Sequence, residues 1–172
     1  MNNNINNVST QDLLGNVLVK VKKGKTVLKS VSVHNTATLY LLYNMLLSLS
    51  GEFDTDYLPQ YIGAGVGVTS SDDNIPQLKS LKSETTLVRA PLIANYKGAP
   101  TIDTTTNSVS VIYQGIIPDR NLAVSNNIKE IGLFGTAQGN TLLARIQLEE
   151  PLSLSTGESL VVEWTFNLKN AQ

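Results

Sequence analysis

Cysteine is absent from this chain, which excludes disulfides, thiolate metal sites and cysteine nucleophiles. Charge is scarce. Fourteen acidic residues against 13 basic ones leave a formal net charge of −1, so no polyelectrolyte partner is implied for the chain as a whole. Histidine occurs once, at His34. The longest apolar run, Leu39 to Leu49, is interrupted by Asn44 and Ser48. It falls well short of the roughly 20 residues that span a bilayer, so a soluble protein with no membrane partner is expected. The opening Met1-Asn2-Asn3-Asn4-Ile5-Asn6-Asn7 lacks the basic region and apolar core of a secretory signal.

What is present is β pattern. In Ser159 to Leu168, Leu160, Val162, Trp164, Phe166 and Leu168 alternate with Val161, Glu163, Thr165 and Asn167. A period of two over this length is that of a half-buried antiparallel strand. Ile128 to Phe134 and Thr141 to Leu148 read as the two strands before it, joined by Gly-containing turns. Asn16 to Val33 reads as a hairpin turning at Lys23-Gly24-Lys25. Pro59 to Thr69, Leu87 to Ala94 and Ser108 to Ile117 are further strand candidates, the last two joined by a Gly/Pro/Thr-rich connection at Lys97 to Asn107. One helix is expected, over about residues 36–50. It is capped by Asn35 or Thr36 and closed by Gly51, with Leu39, Leu42, Tyr43, Leu46 and Leu49 on one face. Leu41, Met45 and Leu47 widen that stripe, so burial on more than one side is expected.

At 172 residues the chain suits one domain, 16–172, behind a flexible Asn-rich arm at 1–15. At this size about two-thirds of the unfolded surface is removed on folding, enough for a core without staples. The fold class is mainly β: an antiparallel, sandwich-like domain with one packed helix.

Candidate chemistry is sparse. Gly63-Ala64-Gly65-Val66-Gly67 suggests a phosphate loop, but a dinucleotide fingerprint needs a helix after it, and Ser/Asp loop residues follow instead. Close packing against the helix or a neighbouring subunit accounts better for these glycines. His34 has no partner at a recognisable catalytic spacing, so a capping or interface role is preferred. Asp54, Asp56, Asp72 and Asp73 lack the calcium-loop pattern and read as solvated turn acids. A glycosidase pair such as Glu149 or Glu150 with Glu163 carries little weight, since carboxylate separation is invisible in sequence. No catalytic residue, metal or cofactor is assigned. Lys20, Lys22, Lys23, Lys25 and Lys29 gather five of the 13 cationic residues in one hairpin. They suit either a basic tip touching nucleic acid or an acidic neighbour, or an edge guarded against aggregation; the second is preferred, and direct DNA contact stays open.

Five segments in order carry a resemblance: the capped helix ending in Gly51; Pro59-Gln60-Tyr61-Ile62-Gly63; Arg89-Ala90-Pro91; Glu130-Ile131-Gly132-Leu133-Phe134; and Leu142-Leu143-Ala144-Arg145 with Val162-Glu163-Trp164. Together, over roughly residues 35–168, they resemble small structural proteins of tailed-bacteriophage virions. The resemblance implies a non-enzymatic subunit of the tail, collar or fibre-attachment region. Such a subunit forms a homo-oligomeric ring or trimer, contacts tail, portal-proximal or fibre components, and is located in the virion after assembly in the bacterial cytoplasm. The lysine hairpin falls outside the resemblance and is a candidate attachment device, with Lys20, Lys22, Lys23 and Lys25 at an interface. Arg89 and Arg145 suit interface pairing to acids such as Glu130 or Glu163, and Arg89, Glu130 and Arg145 are assigned to an interface, with a place in the core left open for the arginines. Two alternatives are a head decoration or fibre protein binding host glycan near Tyr57, Tyr61 or Tyr96, and, less favoured, a carbohydrate-degrading enzyme.

Overall fold

The computed structural model describes residues 15–52, 54–67 and 81–169, with residues 94–97 and 169 described by their backbone alone. Residues 1–14 of the proposed arm, Asp72 and Asp73 lie outside the described residues, as does the side chain of Tyr96. Alternating sequence becomes alternating burial. In β1 (Asn16–Lys23) Val17, Val19 and Val21 are buried, while Lys20 and Lys22 take the other face. Gly24, at φ +58°, turns the chain into β2 (Thr26–His34), as the hairpin reading requires.

Further along the chain come β3 (Thr36–Ala37), the helix α1 (Leu39–Leu49), β4 (Tyr61–Gly65), β5 (Ala90–Lys97), β6 (Thr101–Asp103) and β7 (Ser108–Pro118). The closing strands are β8 (Ile128–Phe134), β9 (Leu142–Leu152) and β10 (Glu158–Lys169). The protein is therefore mainly β with one helix. The sandwich-like arrangement takes the form of one antiparallel sheet that folds onto itself, in the order β2-β1-β10-β7-β5-β4-β8-β9-β3, with β6 added to β7. The two ends of this path return to each other: Lys29 of β2 reaches Glu150 of β9 at 3.5 Å across the seam.

The inner faces of both halves form one core around Trp164, which has no exposed surface, with Ile62, Ile117, Ile131, Leu133, Leu160 and Val162. β8 differs from a simple amphipathic strand because both of its faces are covered. Ile131 and Leu133 enter the main core, while Phe134 on the opposite face joins Leu81 and Leu142 in a second small cluster.

The helix starts three residues later than its sequence signals suggest. Thr36 and Ala37 pair with Arg145 and Ala144 of β9 instead. Asn35 is occupied elsewhere: it accepts from the Gly15 N–H through its side chain and donates its own N–H to the Gly15 carbonyl. Thr38 precedes the helix, but its hydroxyl bridges the carbonyls of Leu142 and Leu143 at 2.8 and 2.9 Å rather than capping it. Gly51, at φ +84°, does end the helix.

Because Leu133 is fully enclosed, Leu133→Ala should lower unfolding free energy by about 2–5 kcal/mol in urea denaturation. Leu28→Ala, on the exposed edge strand β2, should change it by no more than about 0.5 kcal/mol.

Candidate functional site

Two ion pairs lie under the surface on the outer face of β4, β8 and β9. Arg145 of β9 donates from Nε and Nη2 to one carboxylate oxygen of Glu130 in β8, at 2.9 and 2.7 Å. The two side chains are 2% and 0% exposed. The second carboxylate oxygen of Glu130 accepts the backbone N–H of Ser83 at 2.9 Å. A buried charge needs both a counter-ion and hydrogen bonds, and Glu130 has both.

The register explains the alternating glycines. Gly65 of β4 lies opposite Glu130, and Gly63 lies opposite Gly132, which in turn faces Arg145. A Cβ on Gly65 or Gly67 would lie 2.6 or 2.5 Å from the Glu130 carboxylate. These glycines make room for a buried carboxylate and for the chain at residues 82–83. They do not pack against α1, which corrects the sequence expectation.

The neighbouring pair is Arg89 with Glu84. It is bidentate at 2.8 Å in both bonds, and the guanidinium also donates to the carbonyls of Thr136 and Gly139. The guanidinium lies 3.5 Å over the ring of Phe134. Thus Arg89, Glu130 and Arg145 take the core option rather than the interface option. All three are buried within the chain, with their charges committed to internal partners. Arg145 and Glu130 do pair, as one sequence option held, whereas Arg89 pairs with Glu84. Sequence reasoning overlooked Glu84; the available signal was an acid and an arginine five residues apart in a weakly charged stretch.

The surface feature of most interest is α1. Its inward side presents Leu41 and Asn44, with Tyr40 and Met45 against the core. The Asn44 amide donates to the Tyr57 carbonyl at 3.0 Å, and the Tyr40 ring stacks on Tyr57 at 5.5 Å. The stripe expected to be buried instead faces out: Leu39, Tyr43, Leu46 and Leu49 are 49, 54, 65 and 85% exposed. The helix contains no charged residue. Beside it runs an apolar groove of about 500 Å³, lined among others by Met45, Leu49, Val109, Val111, Phe166 and Leu168. Asn44 lines this groove with its Oδ1 lacking a hydrogen-bond partner among the described residues. Burial at Tyr113, also on the groove wall, pushes that phenol's pKa up.

The remaining candidates are spread apart. Lys20 and Lys22 are half-buried and Lys23 and Lys25 exposed on the β1–β2 hairpin, while Lys29 makes the solvent-exposed pair with Glu150. His34 is exposed at the seam, where an open groove of about 460 Å³ is lined by Val31, Ser32, Val33, His34, Gln147, Glu149 and Glu150. Glu163 of β10 accepts from Gln114 at 3.3 Å. Strands β1 and β2 and the seam separate it from Glu149 and Glu150. At roughly 4.8 Å per strand this separation is about 14 Å along the sheet, too wide for the carboxylate spacing of either glycosidase class. Among the described residues no group of three or more His, Asp or Glu side chains is placed to hold a metal ion. Nor is any helix among them long and apolar enough to cross a membrane.

Arg145→Met should cost about 3–5 kcal/mol of stability, because it leaves Glu130 charged and enclosed. The double variant Arg145→Met/Glu130→Leu should recover much of that loss, and equal costs for single and double variants in denaturation would contradict this account.

Comparison with protein-family models, curated proteins and solved structures finds no match to this chain.

Proposed function

We propose that this chain is a non-enzymatic structural subunit of a tailed-phage virion. In this reading it forms a homo-oligomeric ring or collar in the neck or tail and docks neighbouring tail or fibre proteins. The observation that supports the reading is α1: a surface helix without charge whose leucine face is left exposed by the described residues. Surface helices ordinarily turn polar residues outward, and a contiguous exposed apolar patch of this kind marks an interaction site. The double-buried strand β8 and its ion pairs supply a stiff frame behind that surface. Such a molecule works mechanically, by presenting a fixed face to its neighbours.

A second reading is a head decoration or fibre protein binding host glycan, and one feature favours it. Tyr43 is exposed and meets Tyr57 edge-on at 6.4 Å, with Tyr40 stacked behind. Sugar rings stack on such aromatics, and glycan-array binding abolished by Tyr43→Ala would move the assignment there.

For the preferred reading, size-exclusion chromatography with light scattering should give a discrete homo-oligomer, and proteomics of purified particles should contain the chain. A monodisperse monomer absent from particles would sink it.

A further inference from the structure

We infer that α1 is where one copy of this chain meets a second copy, helix against helix, along Leu39, Leu42, Leu46 and Leu49. This rests on the assembly reading above and names the surface it uses.

The spacing of these four leucines is three, four, three. That is the a/d repeat by which two α-helices interlock side chains, knobs into holes. Three of the four are among the exposed residues of the helix, and Leu42 is half-buried between them. The helix is held to its own domain from the other side, through Thr38, Leu41, Asn44 and Tyr40. The leucine seam is therefore free to pack outward without unfolding anything. A row of leucines is self-complementary: an identical row fits it, and with no charge in the helix nothing ionic must be desolvated when two copies meet.

The extent also suits a second copy. Eleven residues give a seam about 16 Å long. Leu49 and Met45 carry the apolar surface into the adjoining groove, where Val109 and Leu168 are partly exposed. Together these side chains offer several hundred Å² of the roughly 800 Å² that each partner contributes to a standard interface.

The chain has no native thiol, so cysteines placed on the seam are its sole thiols. Under mild oxidation the double variant Leu42→Cys/Leu46→Cys should give a disulfide-linked dimer, since a cysteine then opposes a cysteine whether the two helices run parallel or antiparallel. Ile102→Cys, exposed on β6, should not. Leu46→Lys/Leu49→Lys should weaken self-association at least tenfold by light scattering. Its denaturation midpoint, measured in dilute solution, should stay unchanged, because both side chains already face solvent. If the wild type assembles but the lysine variant assembles equally well and no seam cysteine cross-links, the helix contact is overturned while the assembly reading stands. A wild type that stays monomeric at every concentration overturns the contact, and its absence from particles would overturn the assembly reading as well.

Discussion

Enclosing one carboxylate in the sheet dictates much of what surrounds it. Glu130 cannot be ionised out of water without Arg145 beside it, and its remaining oxygen needs a donor, which Ser83 supplies. The opposite positions of β4 must then be glycine, because any side chain there would meet the carboxylate or the chain at residues 82–83. The segment that brings Ser83 also brings Glu84, which pairs with Arg89 and thereby places a guanidinium on Phe134. Two ion pairs, an aromatic ring and alternating glycines are thus one arrangement. It turns β8 from a strand with a wet face into one buried on both sides.

That arrangement separates the polar work of the molecule from its surface. The strongest charged contacts are spent inside, and the exposed pair Lys29–Glu150 is of the kind worth at most about 1 kcal/mol. The helix is attached differently. Thr38 reaches two carbonyls of β9, Asn44 reaches the carbonyl of Tyr57, and Leu41 is its one buried apolar side chain. A helix fixed by directed hydrogen bonds together with Leu41, Tyr40 and Met45 need not turn its whole apolar stripe inward, and this one keeps Leu39, Leu46 and Leu49 outside.

Much of the sheet was legible because alternation has a direct physical cause. Residues 128–134 were bounded as observed; of the expected inward set Leu160, Val162, Trp164, Phe166 and Leu168 the first four are buried, while Leu168 stays 44% exposed at the end of β10 and Val161 of the other face is buried. β3 was not legible: two residues beside good capping groups pair with β9 for reasons that depend on Thr38 meeting carbonyls over 100 residues away. The glycines of β4 were visible, but their purpose was hidden in a residue of β8 that only the register brings opposite. Arg89 and Arg145 stood out as isolated charges, and the sequence reading preferred an interface for them, whereas both are buried within the chain. The helix shows the sharpest limit. A three-four leucine pattern reports that a face will be covered, yet it does not say whether the covering atoms belong to the same chain.

Symmetry then constrains what such a helix can build. A contact between two antiparallel copies of α1 is isologous; it closes a pair and leaves no seam for a third copy. A ring assembled from such pairs must use a second, different surface. The edge strand β2 is the natural one, since among the described residues it forms a ladder with β1 alone, and its one lysine, Lys29, guards rather than blocks it. Parallel copies of α1 can instead gather around one axis and close a trimer through the seam alone, because each helix then meets its neighbours with the same register. The two cases differ in where opposed residues meet. Parallel helices bring every seam position against its own counterpart, whereas antiparallel helices do so only near the two-fold axis. In the proposed assembly, which seam positions lie against their own copies would therefore fix whether α1 is the whole assembly device or one half of it.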